Sequence, residues 1–433
     1  MKVYIETYGC QMNEYDSEII RALLDSAEYE ATDDPASADV VLINTCAVRE
    51  HAELRVINRI HELRRLRSKA SQRLGVVGCM AQGLKDRLQA NPRLPIDFIA
   101  GPDSYRLLPE LIAAPAQKKS RFALELSDYE TYADIYPRRM GGVNAWLAVM
   151  RGCNNFCSFC VVPFRRGRER SRAPQSIVAE VHRLAAEGFR QVTLLGQNVN
   201  SYRHGDSDFA ALLQAVSRVD GIERVRFTSP HPKDFPMRLV EVMAAEHKIC
   251  KHIHLPLQAG SDRILKLMRR TYTSRHFLAL VEQIRARIPG IALSTDIIVG
   301  FPGESEEEFD ETLALMRQVE FDAAFIFQYS ERPGTLAARK YPDSVSEEEK
   351  SRRSALLNTV QNAISLRKNR ARIGQIEHVL VEQSSTKKSA AESQGHSDGN
   401  RLVILQEGTF RVGELVPVRI HDATAHVLKG RRL

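Results

Sequence analysis

Three textures of apolar and polar positions follow one another along the chain. In the first, Lys2–Cys10, Val40–Cys46 and Leu74–Cys79 are short apolar runs, each closing on a cysteine. Between them the spacing is helical: Asp16–Ala27 places Ile19, Ile20, Leu23 and Leu24 on one side, and Glu53–Lys69 does so with Val56, Ile57, Ile60 and Leu63. A fourth apolar run, Ile96–Ala100, follows a further helix. Strands alternating with helices of this length form a parallel sheet. Residues 1–113 are therefore predicted as a small doubly wound α/β domain. Residues 114–142 lack sustained periodicity, end in Gly141-Gly142 and read as a linker.

The second texture, residues 143–371, repeats a strand-like run followed by helical spacing. The runs are Asn144–Met150, Gln191–Leu195, Arg224–Thr228, His252–Leu257, Ala292–Val299 and Ala323–Gln328. Six such units predict a partial, TIM-like (β/α)6 barrel, with its chemistry at the strand C-termini. Trp146 and its neighbours read as barrel core, and a charged helix, Glu347–Ile373, packs on the barrel through Leu356, Leu357, Val360 and Ile364. The third texture, residues 372–433, alternates over short segments: His378–Glu382, Arg401–Gln406, Glu414–Ile420 and Ala425–Lys429. These predict a small antiparallel β-barrel of oligonucleotide-binding size, with Ser384–Asn400 as a loop between its strands.

Composition narrows this picture without redirecting it. The chain of 433 residues is long enough for two or three domains, and 43% hydrophobic with 27% charged residues is the balance of a soluble globular protein. The N-terminus enters a strand at once without a signal-type apolar region, and no run is long enough to cross a bilayer. Seven cysteines are too few and odd in number for a disulfide framework, so a reducing cytoplasm is expected. A net charge of +7 permits RNA as partner without demanding it.

The chemistry lies in the cysteines. Cys153, Cys157 and Cys160 form C-x3-C-x2-C directly after the first barrel strand. Three thiolates hold three corners of a four-iron cluster and leave the fourth iron open to chelate a substrate, the ligand arrangement of radical S-adenosylmethionine (SAM) enzymes. A zinc knuckle is the alternative, but it needs a closed fourth ligand and usually a partner pair, and neither follows. Cys10, Cys46 and Cys79 each sit just past a strand of the first sheet, where ligands bind beyond the strand ends, and are expected to converge as ligands of a second 4Fe–4S cluster. Candidate SAM contacts are Phe159 and the polar or glycine residues at barrel strand ends, Gly196, Gln197, Ser229 and Gln258.

Five arginines, Arg165, Arg166, Arg168, Arg170 and Arg172, follow the second triad; they suit a solvated loop, SAM's carboxylate or RNA phosphates. Arg165 and Arg166, with Lys387, Lys388, Asn400 and Arg401 on the C-terminal barrel, are the candidate RNA contacts. The basic run Arg55, Arg59, Arg64, Arg65, Arg67, Lys69 and Arg73 reads first as a solvated helix face, with a phosphate-facing helix as the functional alternative. Cys250 is expected in the core, and His252 and His254 as structural histidines lacking a third ligand.

The motifs Thr7-Tyr-Gly-Cys-Gln-Met-Asn13, Asn44-Thr-Cys-Ala-Val-Arg49, Gly78-Cys-Met-Ala-Gln82 and Thr228-Ser-Pro-His-Pro232 resemble the methylthiotransferases, and within them the MiaB-type tRNA enzymes, nearly end to end. The resemblance implies an N-terminal auxiliary-cluster domain, a radical SAM core and a C-terminal TRAM module. It also implies insertion of a methylthio group at C2 of N6-isopentenyladenosine, on the 3′ side of the tRNA anticodon. One SAM would give the methyl group and a second the adenosyl radical, since an unactivated C2–H yields to neither acid–base nor nucleophilic attack. A reducing electron donor and a sulfur donor are implied as partners, with a monomer as the working unit. Relatives that act on threonylcarbamoyl-adenosine or on ribosomal protein S12 carry other residues around the first cysteine. A non-catalytic iron–sulfur protein, or sulfur insertion without methylation, are the remaining rivals.

Overall fold

The computed structural model describes residues 1–46, 50–66, 69, 71–84, 94, 96–115, 120–386, 389 and 392–433. The first domain is built about β3 (Val40–Thr45), every residue of which is buried. Val40 and Leu42 face one layer, Val41 and Ile43 the other, which is why the run is apolar without alternation. β1 (Lys2–Thr7) and β4 (Arg73–Gly78) flank β3, β2 (Glu30–Ala31) lies outside β1, and β5 (Phe98–Ala100) and β6 (Arg121–Ala123) continue beyond β4. All pairings are parallel. Helix α1 (Gln11–Ser26) packs Tyr15, Ile19, Ile20 and Leu24 on one face, and α2 (Glu50–Leu66) packs Val56, Ile60 and Leu63 on the other. No side chain caps α1; burial worth about 1.5–3 kcal/mol per large apolar residue holds it instead.

The segment read as a linker is part of this domain's wall. It supplies β6, and Tyr132 within it is buried against Tyr105, accepting that residue's N–H at 3.0 Å and donating to Pro102 O at 3.1 Å.

The central barrel has the six expected parallel strands, Asn144–Ala148, Gln191–Leu195, Arg224–Phe227, His252–His254, Ala292–Val299 and Ala323–Gln328. The third strand bridges in parallel to Ile249, just before the fourth, through Val225, and among the described residues no ladder joins the third to the fourth or the sixth to the first. The closing helix, Glu347–Arg370, buries Leu357 and Ile364 and ties Gln361 Nε2 to Phe321 O at 2.8 Å. Trp146 departs from expectation. Ala145 and Leu147 belong to the barrel core, whereas Trp146 and Ala148 point to the opposite side of the strand and pack with Tyr15, Tyr105 and Tyr132 of the first domain. That domain thus closes against the barrel's first strand.

The C-terminal module is a closed five-stranded barrel in the order Ile376–Gln383, Ser393–Ser397, Leu402–Gln406, Val427–Arg432, Leu415–Ala423. Val416, Val418 and Ile420 point inward, as their alternation predicts. Two points differ from expectation. Leu402–Gln406 and Val427–Arg432 pair in parallel, and Ser393–Ser397, inside the stretch read as a loop, is a strand. Its inward positions are Ser393, Gly395 and Ser397, too small and polar to signal a core face. The hairpin that follows is seated at the N-terminal ends of the central strands. Arg224 donates to His396 O and His378 O at 2.6 Å each, Arg226 to Ser397 O at 2.7 Å, and Asp398 accepts the Lys251 N–H at 3.0 Å. No helix among the described residues is long and apolar enough to cross a membrane.

Candidate active site

β1, β3 and β4 are neighbours in a parallel sheet, so the residues just past them, Cys10, Cys46 and Cys79, come out along one edge. An ideal Cβ on Gly9, whose φ is +145°, would stand 2.6 Å from Cys46 Cβ, so only glycine lets these loops approach so closely. Two buried asparagines lock them. Asn13 Nδ2 donates to Asn44 Oδ1 at 3.0 Å and Thr45 O at 3.1 Å, and Asn44 Nδ2 returns to Asn13 O at 2.8 Å. Thr45 Oγ1 donates to Val77 O at 2.8 Å, which carries the same register to the Cys79 loop. Satisfied buried amides of this kind fix a single loop geometry. Cys46 and Cys79 are buried, while Cys10 is exposed to the cavity described below. A hydrogen bond from Cys46, helped by Arg166 and opposed by burial, draws the Cys10 thiol down to about 6; burial pushes Cys79 up.

The second triad hangs from the first barrel strand. Its loop is pinned by Cys153 N–H to Gly167 O at 3.1 Å, by Gly152 N–H to Gln197 Oε1 at 2.5 Å and by Ser158 Oγ to Leu267 O at 2.7 Å. Cys157 Sγ accepts from Arg270 Nη1 at 3.5 Å and Cys160 Sγ from the Val162 N–H at 3.4 Å. Arg270 is buried and held by Tyr272 OH and Pro256 O. Burial pushes Cys153 up to about 11 and Cys160 to about 12.

Between the first triad and the segment that follows the second lies an open cavity of about 740 Å³, the solvent at its mouth included. Cys10, Cys46 and Cys79 line one side; Val161 and Val162, directly after Cys160, line the other, with Gly196, Gln197 and Ser229 at the ends of the second and third strands. Among the described residues no three His, Cys, Asp or Glu side chains close on a point as ligands of a single ion would. Thiols spread around a cavity, with N–H donors aimed at sulfur, suit a multi-iron cluster. All seven cysteines are free thiols.

Asp16, which the sequence reading passed over, is the charge at the centre of this junction. It is fully buried and accepts from Arg151 Nη2 at 2.7 Å, Arg166 Nη2 at 2.9 Å and Tyr105 OH at 3.1 Å. Arg166 also donates from Nε to Cys79 Sγ at 2.9 Å. Burial opposes the Arg166 charge, but Asp16 and the Cys79 thiol outweigh it and hold the guanidinium well above its ordinary range. The neighbouring arginines are spent likewise: Arg170 on Asp103 at 2.9 Å, and Arg172 on Glu180 at 2.8 Å and Tyr15 OH at 3.1 Å. Only Arg168 is exposed, its guanidinium 4.5 Å over the Phe156 ring.

Of the expected SAM contacts, Gly196, Gln197 and Ser229 reach the cavity; Phe159 packs on the barrel core, and Gln258 is buried with its backbone bonded to Asp296 and Ile298. Of the expected RNA contacts, Arg165 lines the cavity and packs against Gly83, and Asn400 is exposed in the C-terminal hairpin. Arg166 and Arg401 are engaged within the chain. Arg166 is enclosed, bonded to Asp16 and Cys79, and Arg401 pairs with Asp322. Lys387 and Lys388 lie outside the described residues. In the basic run, Arg59 pairs with Glu6 and Glu62, Lys69 with Asp39, and Arg73 is buried against Ile112 O, while Arg55, Arg64 and Arg65 are solvated; Arg67 lies outside the described residues. Cys250 is buried, and His252 and His254 share Ser294 Oγ at 3.0 Å each.

Three family models match the chain: the Radical SAM superfamily over residues 147–316, Uncharacterized protein family UPF0004 over 2–101 and the TRAM domain over 370–433. A tRNA-2-methylthio-N(6)-dimethylallyladenosine synthase of Porphyromonas gingivalis is 48% identical over 99% of this chain and 94% of its own length. Its namesake from Prosthecochloris aestuarii is 47% identical over 99% and 98%, and that from Bacteroides thetaiotaomicron 44% over 100% and 96%. Among solved structures, the radical S-adenosylmethionine methyltransferase TsrM of Kitasatospora setae, seen with cobalamin and a [4Fe-4S] cluster, superposes with a TM-score of 0.61 at 17% identity over 78% of this chain and 77% of its own. At that identity the likeness speaks for the fold.

Proposed function

The chain belongs to the tRNA-2-methylthio-N6-dimethylallyladenosine synthases, the MiaB-type radical SAM methylthiotransferases, and from that premise we propose which side chains carry the reaction. The enzyme introduces a methylthio group at C2 of N6-isopentenyladenosine in tRNA and uses SAM and 4Fe–4S clusters. Cys153, Cys157 and Cys160 hold the cluster at which SAM binds, and Cys10, Cys46 and Cys79 hold the auxiliary one. When bound, these groups supply the radical that opens C2–H and the sulfur and methyl that replace the hydrogen.

The chain's own part is placement. Arg166, Arg270 and the Val162 N–H donate to ligand sulfurs, so each triad keeps an oriented donor. Gly196, Gln197 and Ser229 offer backbone approach and hydrogen-bonding groups for SAM at the cavity's barrel side. Gln197 also fixes the second triad's loop through the Gly152 N–H, so cofactor contact and loop position share one side chain. The first domain forms one wall of the cavity, facing the barrel's strand ends. An anticodon-loop base, splayed from its stack, suits an opening of this kind. Arg165, which lines the cavity, and Asn400, exposed in the C-terminal hairpin, are the RNA contacts of this reading. A reducing electron donor, a sulfur donor, a cytoplasmic setting and a monomeric state complete the reading.

One observation supports it most: the Cys10, Cys46 and Cys79 thiols line one cavity with Val161 and Val162, the residues directly after Cys160, and with the ends of the second and third barrel strands. An anaerobic iron and sulfide count checks it, with two clusters expected in the wild type and one in the Cys153/Cys157/Cys160→Ala variant. Nucleoside mass spectrometry of tRNA checks the product; 2-methylthio-isopentenyladenosine persisting in a deletion strain overturns the assignment.

A further inference from the structure

Arg166 stands six positions after Cys160, on the loop of the second triad, yet its Nε lies 2.9 Å from Cys79 Sγ of the first. Its Nη2 is spent on Asp16 at 2.9 Å, and its third nitrogen, Nη1, is buried without a hydrogen-bond partner. Asp16 is shared with Arg151. One carboxylate therefore balances two buried guanidinium groups, and a cation in excess is left beside the Cys10, Cys46 and Cys79 triad. An uncompensated buried charge is costly, so it is retained where an anion completes it. The groups that can do so are the Cys79 thiolate and whatever anionic sulfur the triad holds at the cavity, toward which Arg166 is a lining residue.

We propose that Arg166 is a positioning residue for the auxiliary cluster, fixing a positive charge and N–H donors at its Cys79 corner and thereby raising its reduction potential. A cation hydrogen-bonded to a ligand sulfur stabilises the more negative, reduced cluster over the oxidised one. Arg270 stands in a similar relation to Cys157 but comes from the barrel itself. Arg166 differs in crossing between domains, so the loop that carries one triad sets the charge felt by the other.

This rests on the reading of Cys10, Cys46 and Cys79 as cluster ligands, and the test separates the two. The full chain with Cys153, Cys157 and Cys160 replaced by Ala is reconstituted anaerobically and titrated potentiometrically by EPR, alone and with Arg166→Gln, Arg166→Lys or Arg172→Gln added. Arg172 is the control: it is equally buried at the same junction, paired with Glu180, and is not seen to touch a thiol. Arg166→Gln is expected to shift the midpoint to more negative values, Arg166→Lys to lie nearer the parent, and Arg172→Gln to leave it unmoved. Loading that is lost with Gln at 166, restored with Lys and intact with Arg172→Gln supports the same conclusion. Equal shifts for Arg166→Gln and Arg172→Gln, no shift for either, or loading lost with both residues at 166 overturns it. A parent chain that holds no cluster at all sinks the ligand assignment instead.

Discussion

Asp16 shows how much of this protein is decided by one side chain. Removing it leaves Arg151 and Arg166 buried and facing each other, a change that costs about 3–5 kcal/mol. Asp16→Ala is therefore expected to weaken the junction between first domain and barrel. Hydrogen exchange should rise in α1 and in the Val162–Arg166 helix, with the C-terminal barrel unchanged; unaltered protection of α1 would count against Asp16 as the clasp. His231 gives a pH-dependent counterpart. Burial, then Arg270 and Lys233, lower it from 6.5 to about 2, and its Nδ1 accepts the Lys233 N–H. The folded chain keeps it neutral while the unfolded chain protonates it, so its contribution is intact above 6.5 and is lost as pH falls toward 2. The loss is about 1.4 kcal/mol per pH unit. His231→Asn, which preserves an acceptor for Lys233 N–H, should flatten the acid limb of a stability–pH curve measured between pH 6.5 and 4; an unchanged slope refutes the assignment. At this scale the cysteines were legible because spacing and strand-end position are local signals. The arginines were not: Arg151 and Arg166 meet a carboxylate 135 and 150 positions away, and no local pattern distinguishes such a side chain from one bound for phosphate.

Elements were legible where burial on both faces wrote an apolar run. β3 and Ala292–Val299 came out with nearly their observed limits for that reason. Ser393–Ser397 carries no such signal because its inward positions are small, and at Gly395 the neighbouring strand leaves no room for a side chain. A Cβ added at Gly395 would stand 1.9 Å from Leu380 O across the ladder. The strand is specified by what it must omit, and without it the five-stranded barrel would not close. Gly395→Ala is accordingly expected to destabilise that module by on the order of 3 kcal/mol, read as lost exchange protection at Val379, Val381 and Leu405. Cluster content and SAM cleavage should be retained. Protection equal to the wild type would show that the ladder can open by the ångström or more this contact requires. β6 was missed for a different reason. Three residues pairing with a three-residue neighbour are too short for any periodicity, and only the sheet's edge gives them a place.

On the scale of the whole molecule, the central barrel is held at both ends. The first domain covers the C-terminal ends of its strands, and the C-terminal hairpin is seated at their N-terminal ends through Arg224, Arg226 and the Arg401–Asp322 pair. A strand of eight residues such as Ala292–Val299 spans roughly 26 Å at about 3.3 Å per residue. On the proposed RNA contacts, an RNA that engages both the cavity and the C-terminal module would run along the barrel's side, and an isolated anticodon stem-loop would engage the cavity alone. On that reading the docking contacts act as a ruler between the two surfaces, because fixing the second surface raises its effective concentration for an RNA already held at the first. Arg226 is the place to loosen that ruler, since it spans Gln191 Oε1, Ser397 O and Asp398 O and touches neither triad. Arg226→Ala should raise KM for whole tRNA by about tenfold while leaving KM for the isolated anticodon stem-loop, and kcat for both, close to the wild type. Equal losses for tRNA and stem-loop would mean that Arg226 supports the barrel wall rather than the docked module. Unchanged KM for whole tRNA would mean that the C-terminal barrel contributes its RNA contacts without being held at a set distance from the cavity.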